Sequence, residues 1–193
     1  ILLCSVVFER GVMHLANRFL KWEPACRKAK FTRKQGSIIC RAVCKSYGEK
    51  KVIDRLDAVY EPGVRYELRT PSGSGKTTLL RLLCGLEQAD SGSLTRQENC
   101  SMVFQEDRLC EDYSAVRNVE LVTGDKEQAR KALQVLLEAD DLDKPCRSLS
   151  GGMKRRVSLV RALEAASDVL LLDEPFTGMD VLTCRRAQNY IQE

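Results

Sequence analysis

With 193 residues, 44% of them hydrophobic and 30% charged, the chain has room for one substantial core plus an appendage, and its composition excludes a disordered or fibrous protein. Its nine cysteines form no C-x-x-C pair, are odd in number and in several cases sit in apolar or helical runs. That argues against a disulfide frame or zinc site and for reduced thiols in the cytosol. The formal charge of +4 is uneven: residues 1–37 set eight basic residues against Glu9 and Glu23, giving +6, which leaves −2 for the rest.

In chain order, Ile1 to Phe8 is apolar and basic residues follow it, the reverse of a secretory signal. Eight residues fall short of the roughly twenty that span a bilayer, so the run is expected to be the end of a span or a surface leader. Phe8, Val12, Leu15 and Phe19, with Arg10, Asn17, Arg18 and Lys21 between them, suit an amphipathic helix reaching Trp22. An aromatic residue followed by a basic tail fits a helix leaving a membrane on its cytoplasmic side. Lys30 to Ser37 reads as a linker, and the folded domain is expected from Ile38. Ile38–Val43 and Val52–Tyr60 read as strands on either side of a turn at Tyr47-Gly48-Glu49.

Val64 to Leu68 reads as a strand that feeds Pro71-Ser72-Gly73-Ser74-Gly75-Lys76-Thr77-Thr78, after which Thr77 to Leu86 reads as a helix. Strand, glycine-rich loop and helix in this order form the setting of a P-loop. Gly73 and Gly75 let the backbone curl so that its N–H groups converge on phosphate oxygens, and the helix N-terminus adds partial positive charge there. Lys76 is placed to reach phosphate, and the Thr77 hydroxyl to reach Mg²⁺. Thr70 stands where the pattern usually begins with glycine. Asp90 to Ser93 reads as a turn, and Ser101 to Phe104 as a strand ending at Gln105, where ligands bind in such sheets.

Residues 112–145 are helical in pattern, with Ala129, Leu133, Leu136 and Leu137 on one face. Leu149-Ser150-Gly151-Gly152-Met153 then opens a helix running through Lys154 to Ala165. It reads either as a second anion site or as an ordinary N-cap with glycines. Val169 to Leu172 fits a strand buried on both faces, and it ends in Asp173-Glu174-Pro175. Two adjacent carboxylates there are costly unless compensated. A metal beside phosphate compensates them, one acid holding the cation and the other polarising water.

With these residues laid out, the chain from about Ile38 onward resembles the ATPase subunit of an ATP-binding cassette (ABC) transporter. The resemblance implies an α/β P-loop NTPase with a mostly parallel core sheet, a small antiparallel β subdomain and a helical subdomain at about residues 106–160. Residues 1–37 would be a leader or permease tail, and 38–193 the cassette, incomplete at its C-terminus. It makes Tyr47 the adenine-stacking aromatic, Ser72 to Thr78 the Walker A loop, and Gln105 the residue joining the metal site to the transmembrane partner. Ser150, Gly151 and Gly152 fall in the family signature, with Met153 in its glutamine position. Asp173 becomes the Walker B metal ligand alongside Thr77 and Gln105, Glu174 the catalytic glutamate acting with Lys76 and Gln105, and Gly178-Met179-Asp180 the loop crossing a dimer interface. The family's switch histidine is expected one strand beyond the last helix, past Glu193, and the only histidine, His14, lies far upstream.

The implied cofactors are ATP and Mg²⁺. The implied partners are a second cassette, paired head to tail, and a transmembrane permease, with no nucleic acid, since the cassette is slightly acidic. The implied location is the cytoplasmic face of the inner membrane, with peripheral association. The run Phe104-Gln105-Glu106-Asp107-Arg108-Leu109 is similar to importers of the nitrate, sulfonate and taurine type. The competing readings are a non-transport soluble ABC ATPase and an inactive fragment of a fused permease-ATPase.

Overall fold

The computed structural model describes residues 2–6, 20–22, 36–69, 71 and 73–192, the first two stretches as backbone strands. The chain divides into two compact units: one runs to Met102 and takes in Asp168–Asp173, and the other comprises Val103–Ser167 and Glu174–Glu193.

The first unit is built on two sheets. Strands β1 (Leu2–Val6), β2 (Leu20–Trp22), β5 (Arg65–Arg69), β7 (Cys100–Val103) and β8 (Val169–Asp173) form a five-stranded sheet in the order β2-β5-β1-β8-β7. Strand β1 is parallel to both β5 and β8, whereas β2 pairs antiparallel with β5. Strands β3 (Ile38–Tyr47), β4 (Lys50–Tyr60) and β6 (Ser91–Thr95) form a three-stranded antiparallel sheet in the order β4-β3-β6. Helix α1 (Lys76–Leu83) buries Leu79, Leu80, Leu82 and Leu83 against the core that holds Ile38, Tyr66, Leu68 and Leu171. Strand β8 is buried at four of its five positions, as four consecutive aliphatics dictate for a strand covered on both faces.

Two parts of this unit differ from the sequence expectation. The stretch Asp90–Ser93, read as a turn, runs into the edge strand β6. Its reason lies across the sheet, where Ala42 adopts φ +47° and the β3 register shifts, with the Asp57 carboxylate accepting the Ala42 N–H at 2.8 Å. Gly92 fits beside that bulge because a Cβ there would come within 2.4 Å of the Ala42 carbonyl oxygen. The second difference is at the start of the chain: Leu2–Val6 and Leu20–Trp22, read within a leader or permease tail, are strands of the core sheet. A strand buried between parallel neighbours and the end of a membrane span both read as a short apolar run. The expected amphipathic helix and linker otherwise fall outside the described residues, as does His14. Among the described residues no helix is long and apolar enough to cross a membrane.

The second unit is helical: α2 (Ala115–Thr123), α3 (Lys126–Leu133), α4 (Gly151–Glu164) and α5 (Val181–Gln192), with short 3-10 turns at Ala139–Asp141 and Cys146–Ser148. The Ser114 hydroxyl caps α2, the Asp125 carboxylate caps α3, and Gly124 ends α2 in the left-handed conformation. The predicted face of Ala129, Leu133, Leu136 and Leu137 is buried. Asn118 is also fully buried; it accepts the Cys110 N–H at 2.9 Å and donates to the Cys110 and Ser114 carbonyls, which pins the preceding loop.

Candidate functional site

In the first unit, β5 leads into the glycine-rich loop and α1 begins where the loop ends. Gly73 and Gly75 have φ of +76° and +91°, the region that favours glycine. Gly75 is fixed twice over, because a Cβ there would also lie 2.7 Å from the Val52 side chain on β4. Ser74 N–H donates to the Pro71 carbonyl at 3.3 Å, closing the turn before α1. Thr70 and Ser72 lie outside the described residues.

Lys76 is largely buried, and its Nζ donates to the Pro71 carbonyl at 3.1 Å, so the ammonium lies across the loop. The Thr77 hydroxyl donates to Asp173 Oδ2 at 2.5 Å, joining residues 96 apart in sequence. Asp173 is only 1% exposed. A threonine hydroxyl bonded to a buried carboxylate, at a helix N-terminus, is a set of hard oxygen donors at the end of the glycine-rich loop. That set fits Mg²⁺, which takes few protein ligands and completes its shell with water and phosphate oxygens.

Tyr47 ends β3 and is 47% exposed. Its hydroxyl donates to the Glu87 carboxylate, Thr78 of α1 also bonds to it, and Lys45 Nζ lies 5.6 Å from the ring centroid. The Glu87 hydrogen bond holds its phenol above the ordinary tyrosine range. The residue is thus placed beside the first turn of α1 with an exposed surface.

The second unit holds the other predicted residues. Gln105 is exposed in the bend after β7. Glu174 follows β8 directly and adopts φ +49°, unusual for a residue with a Cβ. The side chain that organises both neighbourhoods is Arg155 on α4, 3% exposed. Its Nη1 donates to the Phe104 carbonyl, its Nη2 donates to the Glu174 carbonyl at 2.8 Å, and the Asp107 carboxylate lies 3.5 Å away. Burial pushes the Asp107 carboxyl up from its ordinary value, and the charges of Arg155 and Lys154 work against that rise. Sequence reasoning missed Arg155. The signal was present, because Arg155 shares the buried stripe of α4 with Ser158, Leu159 and Ala162, where a guanidinium needs partners.

Ser150 is the N-cap of α4, its hydroxyl accepting the Met153 N–H at 3.3 Å. A Cβ on Gly152 would come within 2.5 Å of the Gly178 carbonyl oxygen, whereas Gly151 faces open space. The Gly178 loop therefore rests against the start of α4. Asp180 immediately precedes α5, accepting the Leu182 and Thr183 N–H groups, each at 3.0 Å. Thus the first unit gathers Tyr47, Lys76, Thr77, Thr78 and Asp173, and the second gathers the carbonyls of Phe104 and Glu174 on Arg155, and sets Gly152 against the Gly178 loop.

The ABC transporter family profile matches residues 53–177. An aliphatic sulfonates import ATP-binding protein of Pseudomonas fluorescens is 41% identical over 162 residues, which is 82% of this chain and 62% of that protein. A relative of the same name from Paraburkholderia xenovorans is 38% identical over 174 residues, covering 88% of this chain and 70% of that protein. The chain thus spans about three-fifths to two-thirds of the length of such relatives. Among solved structures, a putative ABC transporter ATP-binding protein from Pyrococcus furiosus superposes with a TM-score of 0.67 at 21% identity, covering 81% of this chain and 84% of that one. A dimeric ATP-binding cassette in a post-hydrolysis state, bound to ADP and Pi, gives 0.70 at 24% identity over 80% of this chain and 81% of that one. These two likenesses speak to the fold.

Proposed function

Given that this chain belongs to the ABC transporter family, we propose that it binds and hydrolyses Mg-ATP to power an importer of the aliphatic sulfonate class. The observation that carries the reading is the Thr77–Asp173 hydrogen bond, which ties the phosphate loop to the acid-ended strand. Lys76 and the amides of Gly73 to Thr78, with Ser72, hold the phosphates, and Tyr47 stacks the adenine. Thr77, Asp173 and Gln105 hold Mg²⁺, which, when bound, neutralises charge developing on the transferred phosphoryl group. Glu174 orients and polarises the attacking water, and its left-handed backbone, held by Arg155, sets where its carboxylate starts.

Ser150, Gly151 and Gly152 present a helix N-terminus that serves the nucleotide of a second, head-to-tail cassette. That pairing accounts for a chain with two anion-binding helix starts and one pair of metal-side acids. The exposed bend at Gln105 passes closure to a transmembrane permease, which places the protein peripherally on the cytoplasmic face of the inner membrane. Titration calorimetry with Mg-ATP tests the reading. Lys76→Ala is expected to weaken binding at least tenfold, about 1.4 kcal/mol or more. Equal affinity in the two proteins would overturn it.

A further inference from the structure

We propose that Cys84, Cys100 and Met102 form a binding site for a soft monovalent cation of the Cu(I) class. The site is separate from the nucleotide reading and stands whether or not that reading holds. Its ground is the meeting of three sulfur side chains at the C-terminal end of α1.

Cys84 is the C-cap of α1, so it lies about 12 Å along the helix from Lys76. Cys100 and Met102 are two apart on β7, which puts both side chains on one face of that strand. Cys84 Sγ lies 3.8 Å from Met102 Sδ. All three residues are partly buried and pack against the same core. Burial, and then the neighbouring Cys84, pushes the Cys100 thiol up to about 12, so the two thiols are close enough to sense each other. With metal–sulfur bonds of about 2.3 Å in a trigonal plane, two sulfur ligands stand about 4 Å apart. Cys84 and Met102 are near that spacing.

The donor set selects the ion. Two thiols and a thioether are soft ligands, which favour Cu(I) over hard cations. Among the described residues no three Cys, His, Asp or Glu side chains gather as a metal site, so tetrahedral zinc lacks its ligands here. Cu(I) held by both thiolates leaves one net negative charge, the two thiol protons passing to solvent. Positive charge stands beside it. Burial pushes the Cys84 thiol up, and the charges of Arg96 and Arg81 work against that rise. A Cβ on Gly85 would lie 2.6 Å from Arg96 Cζ, so that guanidinium rests against the end of α1. Packing as small hydrophobes explains why each sulfur is sheltered, but it requires neither their convergence nor two guanidinium groups nearby.

The test is anaerobic competition between the whole, fully reduced chain and the coloured Cu(I) complex of bicinchoninate. Wild type is expected to withdraw one tight equivalent of Cu(I). Cys84→Ser and Cys100→Ser should each weaken that binding at least a hundredfold. Met102→Leu, which conserves volume, should weaken it at least fivefold. Cys110→Ser, which removes an exposed thiol elsewhere, should change it less than twofold. X-ray absorption of the one-equivalent complex should show sulfur neighbours alone at about 2.3 Å, three in wild type and two in Met102→Leu. If the serine variants fail to fold, Met102→Leu and the absorption spectrum decide. No withdrawal of Cu(I), binding unchanged in Cys84→Ser because other thiols capture the ion, nitrogen or oxygen neighbours, or a Met102→Leu protein that binds like wild type would each overturn the proposal.

Discussion

Glu174 combines an exacting role with an awkward backbone. A residue with a Cβ in the left-handed region costs about 1–2 kcal/mol, and Glu174 sits there at φ +49°. Arg155 offsets this cost by donating to the Glu174 carbonyl, and the same guanidinium holds the Phe104 carbonyl, one residue before Gln105. One buried side chain thereby couples the start of the proposed catalytic glutamate to the start of the proposed permease-facing bend. Arg155→Met keeps the bulk but leaves both carbonyls without this donor, at a cost of about 2–4 kcal/mol in urea unfolding. Lys76 and Thr77 belong to the other unit, so Mg-ATP affinity should stay within threefold while the rate of phosphate release falls at least tenfold. Arg155→Lys should recover only part of the rate, because an ammonium lacks the planar fork that serves two carbonyls at once. Equal losses in affinity and rate would remove Arg155 from this positioning role.

At the scale of elements, the two signature glycines have different reasons to be there. Gly152 leaves room for the Gly178 carbonyl, so Gly152→Ala forces the two loops apart and should cost about 1–3 kcal/mol in urea unfolding. Gly151 faces open space, and Gly151→Ala should be neutral or slightly stabilising through helix propensity. A stability ranking in the reverse order would contradict this packing. The same contrast between local and distant causes explains what could be read in advance. The phosphate loop and β8 were legible because their signals are local: glycines at fixed spacing before a helix, and four aliphatics bounded by acids. Leu2–Val6 was read as part of a leader because its partners lie some sixty and one hundred and seventy residues away in sequence. Strand β6 read as a turn because Gly92 answers a bulge on β3 that nothing near it announces. Arg155 escaped notice because its partners, Phe104 and Glu174, are distant in sequence and offer only backbone atoms.

For the molecule as a whole, both units are fastened by carboxylates that the fold keeps ionised. The Lys45 ammonium and the Ser46 N–H hold Asp90 below the ordinary carboxylate range. The Arg130 guanidinium does the same for Asp143, and the Thr183 hydroxyl and N–H for Asp180. A carboxylate whose folded pKa is lowered stabilises the fold above its unfolded value, about 3.9, and loses that contribution as pH falls through the folded value. Stability should therefore drop progressively below about pH 4. Asp107 acts in the opposite sense, because its raised folded pKa makes protonation favour the fold. The three partnered carboxylates outnumber it, so net acid destabilisation is expected. Asp90 and Asp143 act through exposed ion pairs that salt screens, whereas Asp180 acts through hydrogen bonds that salt affects less. Circular dichroism at 222 nm during acid titration checks this. Asp90→Asn and Asp143→Asn should each flatten the transition at low ionic strength and lose that difference in high salt, while Asp180→Asn should flatten it in both. A transition that sharpened in the Asn variants, or an Asp180 effect that vanished with salt, would show that other groups govern the acid response.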